Sequence, residues 1–293
     1  MSRTWLILGA SGMLGHACLR VVGGAGDTVR GTVRSASAAD MLPDAWRDRL
    51  LIGVDAEDFA TVERAVSQVR PDVVVNCIGV VKQLASSADP LVALPLNALF
   101  PHRLARLCAT EAARLVHVST DCVFSGERGG YREEDRPDAD DLYGVSKRLG
   151  EVDYPNAVTL RTSIIGHELS GARSLIDWFL AQPGPVEGFT KAIFSGLPTV
   201  ELARLIRDYV APRPELHGLY HVSAASISKY DLLRLVAEAY GRSTEIQPSD
   251  RLAIDRSLNS DRFREATGWR PGSWPELVAR MREDAENLSG SAL

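Results

Sequence analysis

Residues 5–22 read WLILGASGMLGHACLRVV: an apolar run, glycines at Gly9, Gly12 and Gly15, then an apolar helix pattern. With 24 glycines in 293 residues, a G-x-x-G-x-x-G spacing arises easily by chance. Its setting is what carries weight, because the glycines follow a strand pattern and open a helix pattern, as a dinucleotide cradle requires. Gly9 permits a tight turn, Gly12 lets the backbone approach a pyrophosphate, and Gly15 lets the helix lie close on the strand. Gly9, Ser11, Gly12, Met13, Leu14 and Gly15 are therefore the candidate cradle, with the helix head offering N–H donors and a positive dipole end to phosphate. A plain strand–helix turn is the competing reading.

Outward from this loop, β-type runs alternate with helix-period segments across the first 165 residues. Strands are expected at Thr4–Leu8, Thr28–Val33, Leu50–Gly53, Asp72–Cys77, Leu115–Ser119 and Ala157–Arg161. Helices are expected at Gly12–Val22, Phe59–Val69, about Leu96–Glu111 and Tyr143–Val152. Short, nearly all-apolar strands such as DVVVNC are buried on both faces, which marks a parallel sheet clothed by helices. The fold class is α/β, a doubly wound parallel sheet of Rossmann type.

After Arg161 the rhythm loosens. Helices are expected over Ser174–Ala181, through PTVELARLIRDYV, through SKYDLLRLVAEAYG and through SWPELVARMREDAENL, and one more strand at GLYHVS. PGPVEGFTKAIFSGLP reads as irregular. The expected organisation is a dinucleotide-binding domain over 1–165, rejoined by about 196–222. A smaller, interleaved substrate lobe spans 166–195 and 223–288, and a disordered tail 289–293.

Composition bounds the partners. The chain is 45% hydrophobic and 24% charged, as in ordinary soluble globular proteins. A formal net charge of −5 gives no electrostatic reason to expect nucleic acid or an anionic membrane as partner. No apolar run approaches a bilayer span, and the first apolar stretch meets Gly9 too soon for a secretion signal, so the cytoplasm is the expected location. Cys18, Cys77, Cys108 and Cys122 lie far apart and read as buried thiols, His117 as a core histidine, and no metal site is expected.

Cofactor choice turns on the end of the second strand, where an acid accepts the ribose hydroxyls of NAD and an Arg accommodates the 2′-phosphate of NADP. TVRGTVRSAS has no acid there and has Arg34, with Arg30 less well placed. NADP is favoured and NAD stays open. Asp55, after the third strand, is a candidate for the adenine edge, with a helix N-cap as its alternative.

LVHVSTDCVFSG, the acidic loop YREEDRPDADD and LYGVSKRLGE follow one another from residue 115. Tyr143 and Lys147 are four apart at a helix start and share one face. An ammonium there is expected to lower the phenol pKa toward the working range, making Tyr143 a proton donor or acceptor on a substrate oxygen. Thr120 ends the preceding strand on the carboxyl edge of the sheet, where its hydroxyl can hold the same oxygen.

These residues resemble the extended short-chain dehydrogenase/reductase superfamily, and within it the dTDP-4-dehydrorhamnose reductase family. The likeness runs through GASGMLG, RPDVVVNCIGV, STDCVFSG, YGVSKRLGE, VTLRTSIIG and DRSLNSDRFREATGW, almost the whole chain. It implies Thr120, Tyr143 and Lys147 as the catalytic set, and a nucleotide-diphosphate sugar as the substrate. Tyr143 would protonate the C4 oxygen as hydride arrives from NADPH. Lys147 would also hold the nicotinamide ribose, supported through a water by Asn97. Asn76, Cys77 and Gly79 would line the cofactor.

Lys82, Asp121, Arg256 and Asn259 are candidates for the substrate, Lys82 either on a phosphate or simply solvated. The sugar-nucleotide dehydratases of this superfamily carry an Asp–Glu pair after the Thr. Here the order is Thr120–Asp121–Cys122, which removes their expected base. An NAD-dependent epimerase and a non-catalytic regulatory subunit are the alternative functions. The oligomeric state stays open, with a homodimer among the options.

Overall fold

The computed structural model describes residues 2–23, 26–82 and 85–290. Six strands alternate with helices through the first half: β1 (Thr4–Leu8), β2 (Thr28–Val33), β3 (Leu50–Ile52), β4 (Val73–Asn76), β5 (Arg114–Thr120) and β6 (Ala157–Thr162). The helices are α1 (Met13–Gly23), α2 (Ala36–Ala39), α3 (Phe59–Val69), α4 (Pro90–Ala93), α5 (Phe100–Thr110) and α6 (Leu142–Leu149). In the second half lie β7 (Ile164–Ile165), α7 (Leu175–Leu180), β8 (Val186–Phe194), β9 (Leu197–Pro198), α8 (Thr199–Leu205) and β10 (Gly218–His221). They are followed by β11 (Ile227–Ser228), α9 (Lys229–Ala239), β12 (Ile246–Asp255), α10 (Asp261–Thr267) and α11 (Trp274–Gly290).

The main sheet has seven strands in the order β10-β6-β5-β4-β1-β2-β3, every neighbouring pair parallel. This is the doubly wound arrangement expected from the alternating pattern. Its strand order reverses between β1 and β4, and ligands of such sheets sit at that crevice outside the carboxyl ends of the strands. Apolar side chains clothe both faces. Trp5, Ile7, Val73, Val75, Val116, Val158 and Leu160 face one core with α1 and α8. Leu6, Leu8, Val74 and Leu115 face the other, with α3 and α5.

Two stretches differ from the sequence expectation. The segment 183–198, read as irregular, contains the nine-residue strand β8, and β12 had no expected counterpart. β8 is the centre of a three-stranded sheet, antiparallel to β11 and parallel to β12. Flanking prolines and glycines hide β8. β12 is a sheet edge with Pro248 and a register shift between Ser249 and Ala253, so one side of it needs neither apolar alternation nor continuous N–H donors.

The expected helix near Leu96 starts earlier, at Pro90, and carries a π-helical segment over Leu94–Leu99. Pro95 lies in that segment and lacks the N–H an α-helical ladder needs, which accounts for the wider turn. The first helix of the chain also meets the last: Arg20 on α1 forms a two-armed ion pair with Asp284 on α11, Nε–Oδ1 being 3.0 Å. α11 runs on to Gly290, into the stretch expected to be a tail, and residues 291–293 lie outside the described residues.

Candidate active site

The glycine loop joins β1 to α1. Gly9 has φ +79°, a left-handed conformation in which a side chain is strained. A Cβ on Gly15 would lie 2.0 Å from the Gly9 carbonyl oxygen, so α1 rests on the loop backbone itself. A Cβ on Gly12 would meet only that oxygen, at 3.3 Å, and its outer side is open. The first bond along the helix runs from His16 N–H to the Gly12 carbonyl, 3.0 Å, leaving the N–H groups of Met13, Leu14 and Gly15 at the helix head without an intrahelical acceptor. These are the features a pyrophosphate needs.

At the end of β2 the two arginines separate. Arg30 donates to the Asp48 carbonyl, whereas Arg34 is exposed, directly precedes the Ser35 cap of α2, and has no partner among the described residues. Asp55 is turned inward on its own loop: its carboxylate accepts from the Glu57 N–H at 3.1 Å, and its backbone N–H and C=O both bind the Thr61 hydroxyl. The N-cap position of α3 falls to Asp58.

The loop after β4 is shaped by two buried amides. Asn76 Oδ1 accepts from Ile78 N–H at 3.0 Å, and its Nδ2 lies 3.1 Å from His117 Nδ1. His117 is fully buried and stays neutral, burial pushing its pKa far down and the Lys147 charge adding to that; its Nε2 has no partner among the described residues. Asn97 Oδ1 accepts from Val80 N–H at 2.9 Å, and its Nδ2 donates to the Val80 carbonyl and, at 3.2 Å, to the Ser146 hydroxyl. Its amide is committed to this loop and to α6, so its influence on Lys147 passes through packing. The Cβ position of Gly79 is 3.2 Å from Asn97 Oδ1 and 3.9 Å from Lys147 Nζ. Cys77 follows β4 against the glycine loop, its thiol beside Cys18, which with burial raises its pKa.

α6 begins under the side-chain cap of Asp141, whose Oδ1 accepts from Gly144 N–H at 2.8 Å. It ends at Gly150, where a Cβ would fall 1.9 Å from the Asn97 carbonyl oxygen. Tyr143 and Lys147 thus sit on a helix clamped at both ends. Lys147 is 7% exposed, and its Nζ donates to the Val118 carbonyl on β5 at 2.9 Å. Burial lowers its pKa from 10.5 to about 8, against an opposing pull from Glu151.

The Tyr143 phenol departs from expectation. Burial, with the Cys122 thiol next, raises its pKa above 10, and the Thr120 hydroxyl pulls the other way; Lys147 is not among the leading influences. The physical reason is the aim of the lysine: its ammonium is drawn to the β5 carbonyl rather than to the phenol. Tyr143 therefore holds its proton at neutral pH and is a donor at rest.

Thr120 closes β5, its Oγ accepting from Cys122 N–H at 3.1 Å and lying 3.2 Å from Asp121 Oδ1. Asp121 is 8% exposed, and burial raises its pKa against the pull of Arg256. Arg256 reaches in from the segment after β12, with Nε on the Phe124 carbonyl at 2.7 Å and Nη1 3.9 Å from Cys122 Sγ. Burial pushes the Cys122 thiol up to about 11.

Lys82 is neither free nor simply solvated: its Nζ pairs with Asp141 Oδ2 at 2.6 Å, tying the β4 loop to the cap of α6. Asn259 is occupied with the head of α10, accepting from Asp261 N–H at 2.8 Å. Sequence reasoning missed Asp141 and Glu151, although the first is a spacing signal, an Asp two residues before the helix tyrosine. Among the described residues no cluster of His, Cys, Asp and Glu is arranged to hold a metal, and no helix is long and apolar enough to cross a membrane.

The chain is 34% identical over 148 residues to a dTDP-4-dehydrorhamnose reductase of Streptomyces griseus, an alignment covering 50% of this chain and 43% of the relative. It is 32% identical over 242 residues to a probable dTDP-4,6-dihydroxy-2-methyloxan-3-one 4-ketoreductase of Streptomyces antibioticus, covering 79% and 75%. Against the first such relatives the chain spans about two fifths of their length. The solved dTDP-4-dehydrorhamnose reductase of Bacillus anthracis in complex with NADP superposes with a TM-score of 0.79 at 20% identity, covering 97% of this chain and 100% of that one. Residues 3–284 match the family model described as the RmlD substrate binding domain, and the chain belongs to that family.

Proposed function

We propose that the chain is an NADPH-dependent reductase of a nucleotide-linked 4-keto-6-deoxy sugar, with Tyr143 as the acid that protonates the C4 oxygen. The observation that carries this reading is the convergence of Thr120, Tyr143 and Lys147 at the carboxyl edge of the sheet, beside the glycine loop. The names of the curated relatives, which describe reduction of dTDP-linked keto sugars, support the same class.

The residues fit the cofactor. The open side of Gly12 and the free N–H groups of the α1 head suit the pyrophosphate, and Arg34, which has no partner among the described residues, suits a 2′-phosphate. Bound there, NADPH supplies the hydride. Thr120 and Tyr143 orient the carbonyl oxygen, and Tyr143, kept neutral by burial, gives it a proton. Lys147 spends one N–H on Val118 and has two left for the nicotinamide ribose. Arg256, next to Cys122 at the mouth, is the cation offered to the nucleotide diphosphate.

The direct test mixes the protein with NADPH and dTDP-, GDP- and UDP-linked 4-keto-6-deoxy sugars in turn and follows NADPH absorbance. Loss of absorbance with one of them supports the reading; none with any of them overturns it. Arg34→Ala is expected to weaken NADPH binding by about 10- to 100-fold, the value of a charge-assisted contact. NADH binding, measured by the same fluorescence titration, should hardly change. Equal weakening of both would remove Arg34 from the 2′-phosphate.

A further inference from the structure

One buried polar side chain on α1 has no part in the proposed reaction. His16 is 2% exposed, on a helix whose Leu14, Ala17, Leu19 and Val22 belong to the apolar core. Its Nε2 lies 2.9 Å from the His167 carbonyl oxygen, which can only accept, so Nε2 carries the ring proton. Nδ1 is then a buried acceptor with no partner among the described residues. An apolar side chain would fill this position without that cost, so the bond to His167 is what the imidazole contributes.

The group it holds is a single peptide unit. On one side of that unit the His167 C=O accepts from His16; on the other the Glu168 N–H donates to Asp177 Oδ2 at 2.7 Å. The His167 ring is fixed as well, Nδ1 donating to Asp177 Oδ1 at 2.6 Å and Nε2 lying 2.9 Å from the Tyr240 hydroxyl. Asp177 stands in the first turn of α7, and Tyr240 directly follows α9. The unit comes just after β7 and Gly166, where a Cβ would lie 2.5 Å from Thr199 Oγ1 at the head of α8.

From there an unbroken set of contacts reaches the mouth of the site. α9 packs on β8, β8 pairs with β12, and Arg256 directly follows β12 with its guanidinium beside Cys122. At the other end the His16 N–H makes the first bond of α1, to Gly12 of the cradle. Arg20, one turn further on, ties α1 to α11. Resting on the proposed reductase reading, we infer that His16 is a positioning residue: its bond to the 167–168 peptide holds the three-stranded sheet, and with it Arg256, in alignment with the cofactor cradle, so that a nucleotide sugar gripped by one meets the hydride delivered from the other.

Three variants separate the bond from the packing. His16→Leu keeps bulk and removes the donor. His16→Gln returns an amide N–H to the neighbourhood of Nε2, whereas His16→Asn is too short to reach the His167 carbonyl. In H16L, KM for dTDP-4-keto-6-deoxyglucose should rise about 10-fold, the order of effect of a small misplacement. NADPH affinity by fluorescence titration, and kcat at saturating sugar, should stay within about twofold of the parent. H16Q should bring KM back to the parental value, and H16N should not. A folded H16L with parental KM overturns the proposal, as does a folded H16Q that behaves like H16L. Should H16L fail to fold in a thermal melt, H16N against H16Q makes the same comparison.

Two further readouts need no turnover. Amide hydrogen exchange over residues 168–177 of the apo protein should quicken in H16L and H16N and return to the parental rate in H16Q, with β1 and β4 unchanged, because the Glu168 N–H loses its fixed place against Asp177. dTDP binding, read by calorimetry, should weaken about 10-fold in H16L and recover in H16Q. Both patterns in a protein that turns over no keto sugar uphold the role of His16 and sink the reductase reading. Turnover of a keto sugar with KM and exchange untouched by H16L does the reverse, so the two fail separately.

Discussion

Tyr143→Phe is expected to lower turnover of a 4-keto nucleotide sugar by about 10²- to 10⁴-fold, the usual contribution of a positioned acid. NADPH affinity should stay within about twofold, because the phenol oxygen is aimed at Thr120 rather than at the glycine loop. Only one atom is removed, and α6 keeps its Asp141 cap and its seat against Asn97. Steady-state NADPH oxidation and fluorescence titration check the two halves; an unchanged rate would remove Tyr143 as the acid. The pH dependence carries a sign. Burial raises the phenol pKa above 10, so Tyr143 keeps its proton through neutrality and gives no alkaline limb there. The loss of kcat/KM that appears with rising pH should instead centre near about 8, where Lys147 loses its charge.

Gly15→Ala is the second large effect, and Gly12→Ala is its control. A methyl on Gly15 would fall 2.0 Å from the Gly9 oxygen, 2.8 Å from the Gly9 carbonyl carbon and 2.9 Å from Ala10 Cα. All three are backbone atoms, so no side chain can move aside and α1 must lift from β1. Overpacking of this kind costs about 3 kcal/mol, which for a chain of this size lowers the melting temperature by roughly 5 °C. A methyl on Gly12 meets a single atom at 3.3 Å, so that variant should melt close to the parent. It should nevertheless lose NADPH affinity, because the methyl fills the open side where the phosphates approach. Differential scanning calorimetry and NADPH titration of both variants separate fold from cradle. A Gly15→Ala protein that melts like the parent would refute the packing argument. Parental affinity in Gly12→Ala would place the phosphates elsewhere.

What the sequence disclosed depends on how far a signal is local. β1, β4 and β5 are read easily because the apolar runs WLIL, VVV and LV in TWLIL, VVVN and RLVHVST are buried on both faces of the sheet. β8 and β12 are not, since each leaves part of one face to solvent and is interrupted by Gly188 or Pro248. Thr120, Tyr143 and Lys147 are legible because a strand end and a four-residue helix spacing fix where they meet. The direction of the Lys147 ammonium is not, because it depends on a carbonyl of β5 29 residues away. The Lys82–Asp141 pair crosses 59 residues and Glu151–Ser119 crosses 32, distances over which residue type alone carries no register. Asn97 was visible as a residue, but its clamp on Val80 follows from the π-helical turn around Pro95.

The ion pair between Arg20 and Asp284 joins residues 264 positions apart. α1 therefore completes its packing only when the segment carrying Asp284 has folded back onto it. Arg256 likewise reaches Cys122 across 134 positions of sequence. Such long-range closure slows folding, since the entropy of bringing distant segments together is lost before their contacts repay it. If the segment beyond about residue 250 fails to dock, the glycine loop and α6 can still form, but Cys122 lacks the Arg256 guanidinium beside it and α1 lacks Asp284.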